Sequence, residues 1–285
     1  MSKFKDQMQQ DMQLRGFSPR TQYKYLAHLR QFEEFFQTSA EEFGQEELRD
    51  FLHNLIKVKK VSCSYVNGVY SGLKFFFETT LGRNWDMKQI PRVKKTRKLP
   101  VVLSRNEIKQ LFAVTSNLKF KAMFMIAYAA GLRVSEIAHL KISDIDSENM
   151  QIFVREGKGM IDRYSLLSQV NLDILRLYWK QYRPTNWLFP GKLPGEPIRT
   201  RAIQDAFQKA RNKAGINKKA SIHSLRHSFA THLLEEGVNI VYIQQLLGHA
   251  RIGTTTLYLH LAKVKILQVK SPLDFLNQED DKDES

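Results

Sequence analysis

A single cysteine, Cys63, in 285 residues leaves no partner for an internal disulfide and no set of thiolates for a metal cluster. No apolar run reaches the roughly 18–20 residues that cross a bilayer. The longest candidate, Ala122 to Ala130, reads as a buried helix. The opening M-S-K-F-K-D-Q-M-Q-Q-D carries no apolar signal core. The expected setting is therefore the cytosol, and no membrane partner is expected. The G-K-G at 157–159 has no G-x-x-x-x-G-K-[ST] around it, and neither H-E-x-x-H nor G-x-S-x-G occurs. Nucleotide-loop, zincin and serine-hydrolase chemistry thus lack support, and the expectation is no cofactor and no metal. No internal repeat is visible. Acidic residues are scarce beside basic ones, 29 against 44, for a net charge of +15. Such an excess points to a polyanionic partner, nucleic acid before anionic membrane.

What is present divides along the chain. Ser18-Pro19 predicts a helix start, with serine as cap and proline in the first turn. Tyr25, Leu26, Leu29, Phe32, Phe35 and Phe36 then recur at helical spacing. Further helices are predicted over 45–57 and 62–80, so residues 1–90 form a small helical bundle whose aromatic stripe is core. Residues 91–100, P-R-V-K-K-T-R-K-L-P, hold Arg92, Lys94, Lys95, Arg97 and Lys98 between two prolines. Proline resists helix and like charges extend the chain, so this reads as a linker following a phosphate backbone.

A second domain, 101–262, opens at the capping box Ser104-Arg-Asn-Glu107. An apolar helix over 119–130 stops at Gly131. Residues 150–155 and 164–167 alternate like antiparallel strands around a glycine-rich tip, E-G-K-G-M-I-D. Helices are predicted over 170–182, 199–214, 224–236, 240–247 and 254–262, with Trp187–Gly191 a loop or short strand. The fold class is mainly α with a small antiparallel sheet, an α+β arrangement. Residues 263–285 continue with apolar positions from Val264 to Phe275 and end in an acidic tail expected to be disordered.

The chemistry-bearing residues concentrate between Ala220 and Leu261. His223 and Arg226 are three apart and share a helix face. His249 stands in a turn bracketed by Gly248 and Gly253, and Tyr258 follows nine residues on. Cutting a phosphodiester without a metal builds negative charge on the non-bridging oxygens. Placed cationic donors are worth about 3–4 kcal/mol each at such a site, and arginines fork onto phosphate while staying charged. Arg226 is one such donor. Arg133, in A-A-G-L-R-V-S-E, is the second. Lys158, at the glycine-rich tip, is a candidate proton donor for the leaving 5′ oxygen. Tyr258 is a phenol able to attack once it loses its proton, with His223 as helper or phosphate ligand and His249 as orienting group.

This order, H-x-x-R, then L-G-H, then Tyr258, resembles the tyrosine recombinase (phage-integrase) family over nearly the whole chain. The resemblance implies that Arg133, Lys158, His223, Arg226, His249 and Tyr258 form the active site, and that Glu136 supports the first arginine. It implies a SAM-like helical core-binding domain before the catalytic domain, the two closing around double-stranded DNA as a clamp. The implied activity is strand cleavage through a 3′-phosphotyrosine with a free 5′ hydroxyl. Exchange then runs through a Holliday junction in a homo-tetramer on two sites, with accessory proteins as further partners. In the family the segment after the nucleophile docks on a neighbouring subunit, while folding back on its own domain remains an equal reading of 264–276.

S-P-R-T, L-P-V-V-L-S and V-K-S-P-L-D are similar to integron integrases and their bacterial relatives. The compact stretch from Trp187 to Lys219 lacks the integron-specific insertion, so an Xer-like or mobile-element enzyme acting on duplex DNA is the expectation. The rivals are an architectural DNA-binding protein, a type IB topoisomerase and a metal hydrolase using His223, His227 and His232. Arg226 between those histidines would repel a cation.

Overall fold

The computed structural model describes residues 3–84, 90–94, 99–155 and 162–262. The chain forms two compact units, Met1–Lys98 and Leu99–Ser285. Lys95, Arg97, Lys98 and Lys158, the tip of the predicted hairpin and the segment after Ala262 lie outside the described residues.

In the first unit, α1 (Lys3–Leu14), α2 (Pro19–Phe36), α3 (Gln45–Lys57) and α4 (Cys63–Phe75) enclose one core. Ser18 caps α2 by accepting from the Thr21 amide at 3.3 Å, with Pro19 in the first turn, as the sequence predicts. Leu29 and Phe32 of the predicted stripe are core, whereas Phe35, 39% exposed, lies at its border, packed edge-on against Phe36. The Phe32 ring meets Phe36, Phe43, Phe51 and Phe77 edge-on.

Two features depart from expectation. Helix α1 has a sequence mostly of polar residues, but Met8 and Met12, four apart, are fully buried and hold it to the bundle. The helix predicted over 62–80 changes pitch at Phe76, where a π-turn runs to Thr80. Phe75, Phe76 and Phe77 are all buried, and an α-helix cannot turn three successive side chains inward. The wider turn, closed by Leu81 N–H to the Phe76 carbonyl at 3.0 Å, accommodates them.

The carboxamide of Asn67 on α4 grips the Val93 peptide from both sides. Its Nδ2 donates to the carbonyl at 2.9 Å and its Oδ1 accepts from the amide at 3.0 Å. Arg92 lies over the Tyr70 ring and donates to Ser71 Oγ, and Lys94 is exposed.

The second unit opens with α5 (Arg105–Val114), whose capping box forms as predicted. Ser104 Oγ accepts from the Glu107 amide at 3.2 Å, and Glu107 accepts from the Ser104 amide at 2.6 Å. Helix α6 (Leu118–Ala129), apolar all round after Lys119 and Lys121 of its first turn, runs through the centre against α8 (Gln169–Tyr182), α9 (Thr200–Lys213) and α10 (Ile222–Glu235). Between α6 and α8 come α7 (Val134–Ala138) and an antiparallel sheet of β1 (Ile145–Asp146), β2 (Gln151–Val154) and β3 (Arg163–Leu166), in that order. The predicted hairpin pairs Ile152 with Ser165 and Val154 with Arg163, while β1 is unforeseen. Trp187 makes an isolated bridge to Lys141.

Helix α11 (Ile240–Leu247) ends at Gly248. The helix predicted over 254–262 is corrected to two 3-10 turns, Ile252–Thr254 and Thr256–His260. Three successive β-branched threonines disfavour an α-helix there, and the buried Thr255 turns its hydroxyl to another residue, His249. Among the described residues, no helix is long and apolar enough to cross a membrane.

Gly131, at φ +62°, turns the chain from α6 toward Arg133. A Cβ there would stand 2.4 Å from Cδ1 of Phe229. Left-handed backbone costs a non-glycine residue about 1–2 kcal/mol and overpacking about 1–3. Gly131→Ala is therefore expected to destabilise the second unit by roughly 2–5 kcal/mol. Urea denaturation checks this, and a change below about 1 kcal/mol would refute the packing account.

Candidate active site

The site grows from Glu136, on the first turn of α7 and 9% exposed. Its carboxylate accepts from the Arg133 amide and the Arg133 Nη1, both at 2.7 Å. From β3, Arg163 donates to both carboxylate oxygens, at 3.1 and 2.8 Å. Arg226, on α10 and 4% exposed, brings Nη1 to 3.8 Å from the same group. Burial pushes the Glu136 pKa up, but hydrogen bonds and charge from Arg163 and Arg133 outweigh it and hold it at about 2.

Two backbone carbonyls at the end of α11 lack helix partners and receive arginines instead. Leu246 accepts from Arg163 Nε at 2.9 Å and Leu247 from Arg226 Nη2 at 2.6 Å. Nη1 of Arg226 donates to the Gly131 carbonyl at 2.6 Å. Gly248, at φ +61°, ends α11 where a Cβ would come within 2.9 Å of the Arg163 side chain. Arg226 thus spans three segments, but its closest partners are neutral. Burial first, then the charge of Arg133, lowers its pKa to about 9.

His249 presents Nε2 to Arg226 Nη2 at 3.1 Å. A guanidinium only donates, so Nε2 accepts and Nδ1 carries the proton, which it gives to Thr255 Oγ1 at 2.9 Å. Burial, then Arg226 and Arg133, lowers His249 to about 4, in keeping with that neutral ring. Tyr258, 3% exposed, lies nearly parallel to His249, with centroids 6.5 Å apart. Burial raises its pKa, and Arg226 and Arg133 work against that.

The Tyr258 hydroxyl meets His227 Nδ1 at 3.1 Å. The sequence reading left His223 as either helper of Tyr258 or phosphate ligand. His223 lies one helical turn earlier; the residue is exposed as a whole, yet partial desolvation, then Arg226 and Arg133, lowers its pKa. His232 pairs with Tyr128 at 2.9 Å, so the three histidines of α10 do not converge. Among the described residues, no three His, Cys, Asp or Glu side chains gather as a metal site requires.

Arg133, Glu136, Arg226 and His249 therefore meet in one cluster, with Tyr258 packed against His249. Arg163, Thr255 and His227 belong to the same cluster; the first two escaped the sequence reading, and His227 entered it only as a ligand in the metal-hydrolase rival. The detectable signal for His227 was its place beside Arg226, four residues after His223.

The titrations predict an acid sensitivity. His227 and His249 have folded pKa values of about 4, below the ordinary 6.5. The unfolded chain takes up these protons first, so their contribution to stability is whole above about 6.5 and drains as pH falls toward 4. Glu136 contributes in full above its ordinary 4.5 and loses its share only toward 2. Denaturation of the second unit at pH 7.5, 6 and 5 is expected to show falling stability, less steeply in His249→Asn. Parallel curves would contradict this assignment.

Comparison with known proteins matches residues 101–265 to the Phage integrase family and 4–87 to Phage integrase, N-terminal SAM-like domain. The y4qK protein of Sinorhizobium fredii is 40% identical over 277 residues, 97% of this chain and 90% of that one. Tyrosine recombinase XerA of Pyrococcus horikoshii is 35% identical over 253 residues, covering 87% and 85%. XerH site-specific recombinase, solved bound to palindromic difH substrate in a post-cleavage complex, shares the fold. Its TM-score is 0.71 at 22% identity, over 87% of this chain and 78% of that one. A catalytic-domain match over most of the second unit, a SAM-like match over most of the first, and relatives spanning both place this chain in the phage integrase family, the tyrosine recombinases.

Proposed function

We propose that this protein is a site-specific DNA recombinase in which Tyr258 attacks the scissile phosphate to give a 3′-phosphotyrosine and a free 5′ hydroxyl. The observation that carries the reading is a shortage of negative charge. Three guanidinium groups surround one buried carboxylate, and Arg226 is desolvated enough to lower its pKa. A phosphodiester supplies the missing anion. Its non-bridging oxygens are held by Arg133 and Arg226, which Glu136 and the carbonyls of Gly131 and Leu247 fix in place beforehand. His223, at the open side of α10, and His249, oriented by Thr255, add contacts to the phosphate. Lys158 protonates the leaving 5′ oxygen. The phosphotyrosine keeps the energy of the phosphodiester, so rejoining calls for no cofactor.

We take duplex DNA as the substrate, in keeping with XerH bound to its palindromic difH substrate. The SAM-like unit and the basic residues Arg92, Lys94, Lys95, Arg97 and Lys98 hold that duplex, and the cytosolic nucleoid is the place of action. Exchange proceeds through a Holliday junction in a homo-tetramer on two sites, with accessory proteins as further partners.

A nicked duplex carrying the target site, in which the cleaved fragment diffuses away, is expected to leave a denaturation-resistant protein–DNA adduct. Tyr258→Phe is expected to abolish it while DNA binding persists. An adduct that persists would move the nucleophile elsewhere. Arg226→Lys, which keeps the charge but loses the fork, is expected to slow cleavage about 10²–10³-fold. A rate within a few-fold of wild type would remove Arg226 from the phosphate cage.

A further inference from the structure

Three successive threonines, Thr254 to Thr256, lead into the turn that carries Tyr258, and they have different surroundings. Thr254 is exposed, and Thr256 donates its hydroxyl to the Gly253 carbonyl at 3.2 Å. Thr255, 0% exposed, sets its hydroxyl against Nδ1 of His249 at 2.9 Å. Across the ring, Nε2 accepts from Nη2 of Arg226 at 3.1 Å, so the proton of the neutral imidazole sits on Nδ1 and Thr255 Oγ1 receives it. Among the described residues the Thr255 hydroxyl makes no other hydrogen bond, so its own proton is buried and unused. That tautomer suits a ring facing a guanidinium and opposes a ring facing a phosphate. A phosphate oxygen offers only lone pairs, and Nε2 in this state offers another.

We infer that Thr255 is a positioning residue that lets His249 exchange tautomers when phosphate enters the site. The inference rests on the recombinase reading above. On capture of the phosphate, Nε2 gains a proton from water and Nδ1 releases one, so the ring stays neutral and no net proton is taken up. Thr255 then turns its unused O–H onto Nδ1, and donor and acceptor trade places across the same two atoms. Nε2–H donates to a non-bridging oxygen, while Nη2 of Arg226 turns from the ring to the phosphate. Thr255 itself never touches the substrate.

The exchange needs no movement of heavy atoms around the ring. Threonine is branched at Cβ, so its Oγ stays in place while the hydroxyl proton rotates. The Thr255 carbonyl accepts from the Tyr258 amide at 3.0 Å, which ties the residue to its turn. The His249 backbone is held by Gln244, whose carbonyl accepts from the His249 amide at 3.1 Å and whose Nε2 donates to the His249 carbonyl at 2.9 Å. Burial, then Arg226, Arg133 and Arg163, holds the ring at a pKa of about 4. This opposes the alternative, a doubly protonated ring to which Thr255 remains an acceptor.

The test reads the ring directly. Protein with isotope-labelled histidine and Tyr258→Phe, which blocks cleavage, is measured by NMR alone and on the nicked duplex carrying the target site. The two tautomers and the imidazolium differ in their ring-nitrogen shifts, and His249→Asn assigns the signal. The ring is expected to carry its proton on Nδ1 in free protein and on Nε2 on DNA. A ring that keeps Nδ1–H on DNA, or becomes doubly protonated there, would overturn the inference. Single-turnover cleavage by chains that retain Tyr258 supplies the second arm. Thr255→Val, which keeps the branch and loses the hydroxyl, is expected to bind DNA as wild type does and to cleave about tenfold more slowly, with Thr255→Ser within about threefold of wild type. A valine variant as fast as wild type, or a serine variant as slow as valine, contradicts the assignment. Should Thr255→Val not fold, the tautomer measurement, made with Thr255 in place, still decides. If wild type forms no adduct, the recombinase reading fails and this inference falls with it. An adduct in wild type with an unchanged tautomer overturns the inference alone.

Discussion

A buried carboxylate shared among arginines is the constraint on which the second unit depends. Glu136 is hydrogen-bonded to Arg133 and Arg163 and lies 3.8 Å from Arg226. Removing a carboxylate from water is costly, and several charge-assisted hydrogen bonds are needed to offset it. Here those bonds come from α7 and from β3, with a more distant cation on α10. The same arginines reach onward to the carbonyls that end α6 and α11. One anion therefore sets the relative places of four helices and a strand, and every later feature of the site inherits that placement. The two glycines at its border, Gly131 and Gly248, sit where side chains would strike Phe229 and Arg163.

Electrostatically the cluster keeps a net positive charge. The charge on Glu136 fixes the arginines without neutralising them, and the neutral carbonyls orient them at little cost to their positive field. The histidines then stay uncharged, because burial and the guanidinium groups hold both His227 and His249 at about 4. Cations that keep their charge at neutral pH and imidazoles kept from gaining one thus occupy one small volume. Such a division of roles suits phosphate capture beside proton transfer.

Much of this was legible in the chain, and the exceptions have physical causes. Capping boxes, aromatic stripes and the H-x-x-R and L-G-H motifs are local signals, and the helices they predict are present. Arg163 was hidden because β3 inverts the usual rule. Arg163 and Ser165 point inward, while Tyr164 and Leu166 are 57% and 44% exposed. Alternation alone assigns the apolar residues to the core, and only the partner, Glu136, reveals why the polar ones are there. Helix α1 was hidden because two methionines anchor it. Spacing left His223 open as helper or phosphate ligand, and only the tertiary contact shows that His227 is the histidine beside Tyr258.

The 3-10 turns that carry Tyr258 bear on motion as well as position. Each is closed by short-range bonds, such as Tyr258 N–H to the Thr255 carbonyl at 3.0 Å, with no long ladder of cooperative hydrogen bonds behind them. Opening such a turn gives up a few bonds, each with a net worth of about 1 kcal/mol, whereas displacing a residue inside α10 would unravel a packed helix. Tyr258 is therefore mounted on a segment held by few backbone bonds. The arginines are mounted on a packed helix and a strand. A phenol so placed can shift at less cost than the guanidinium groups beside it.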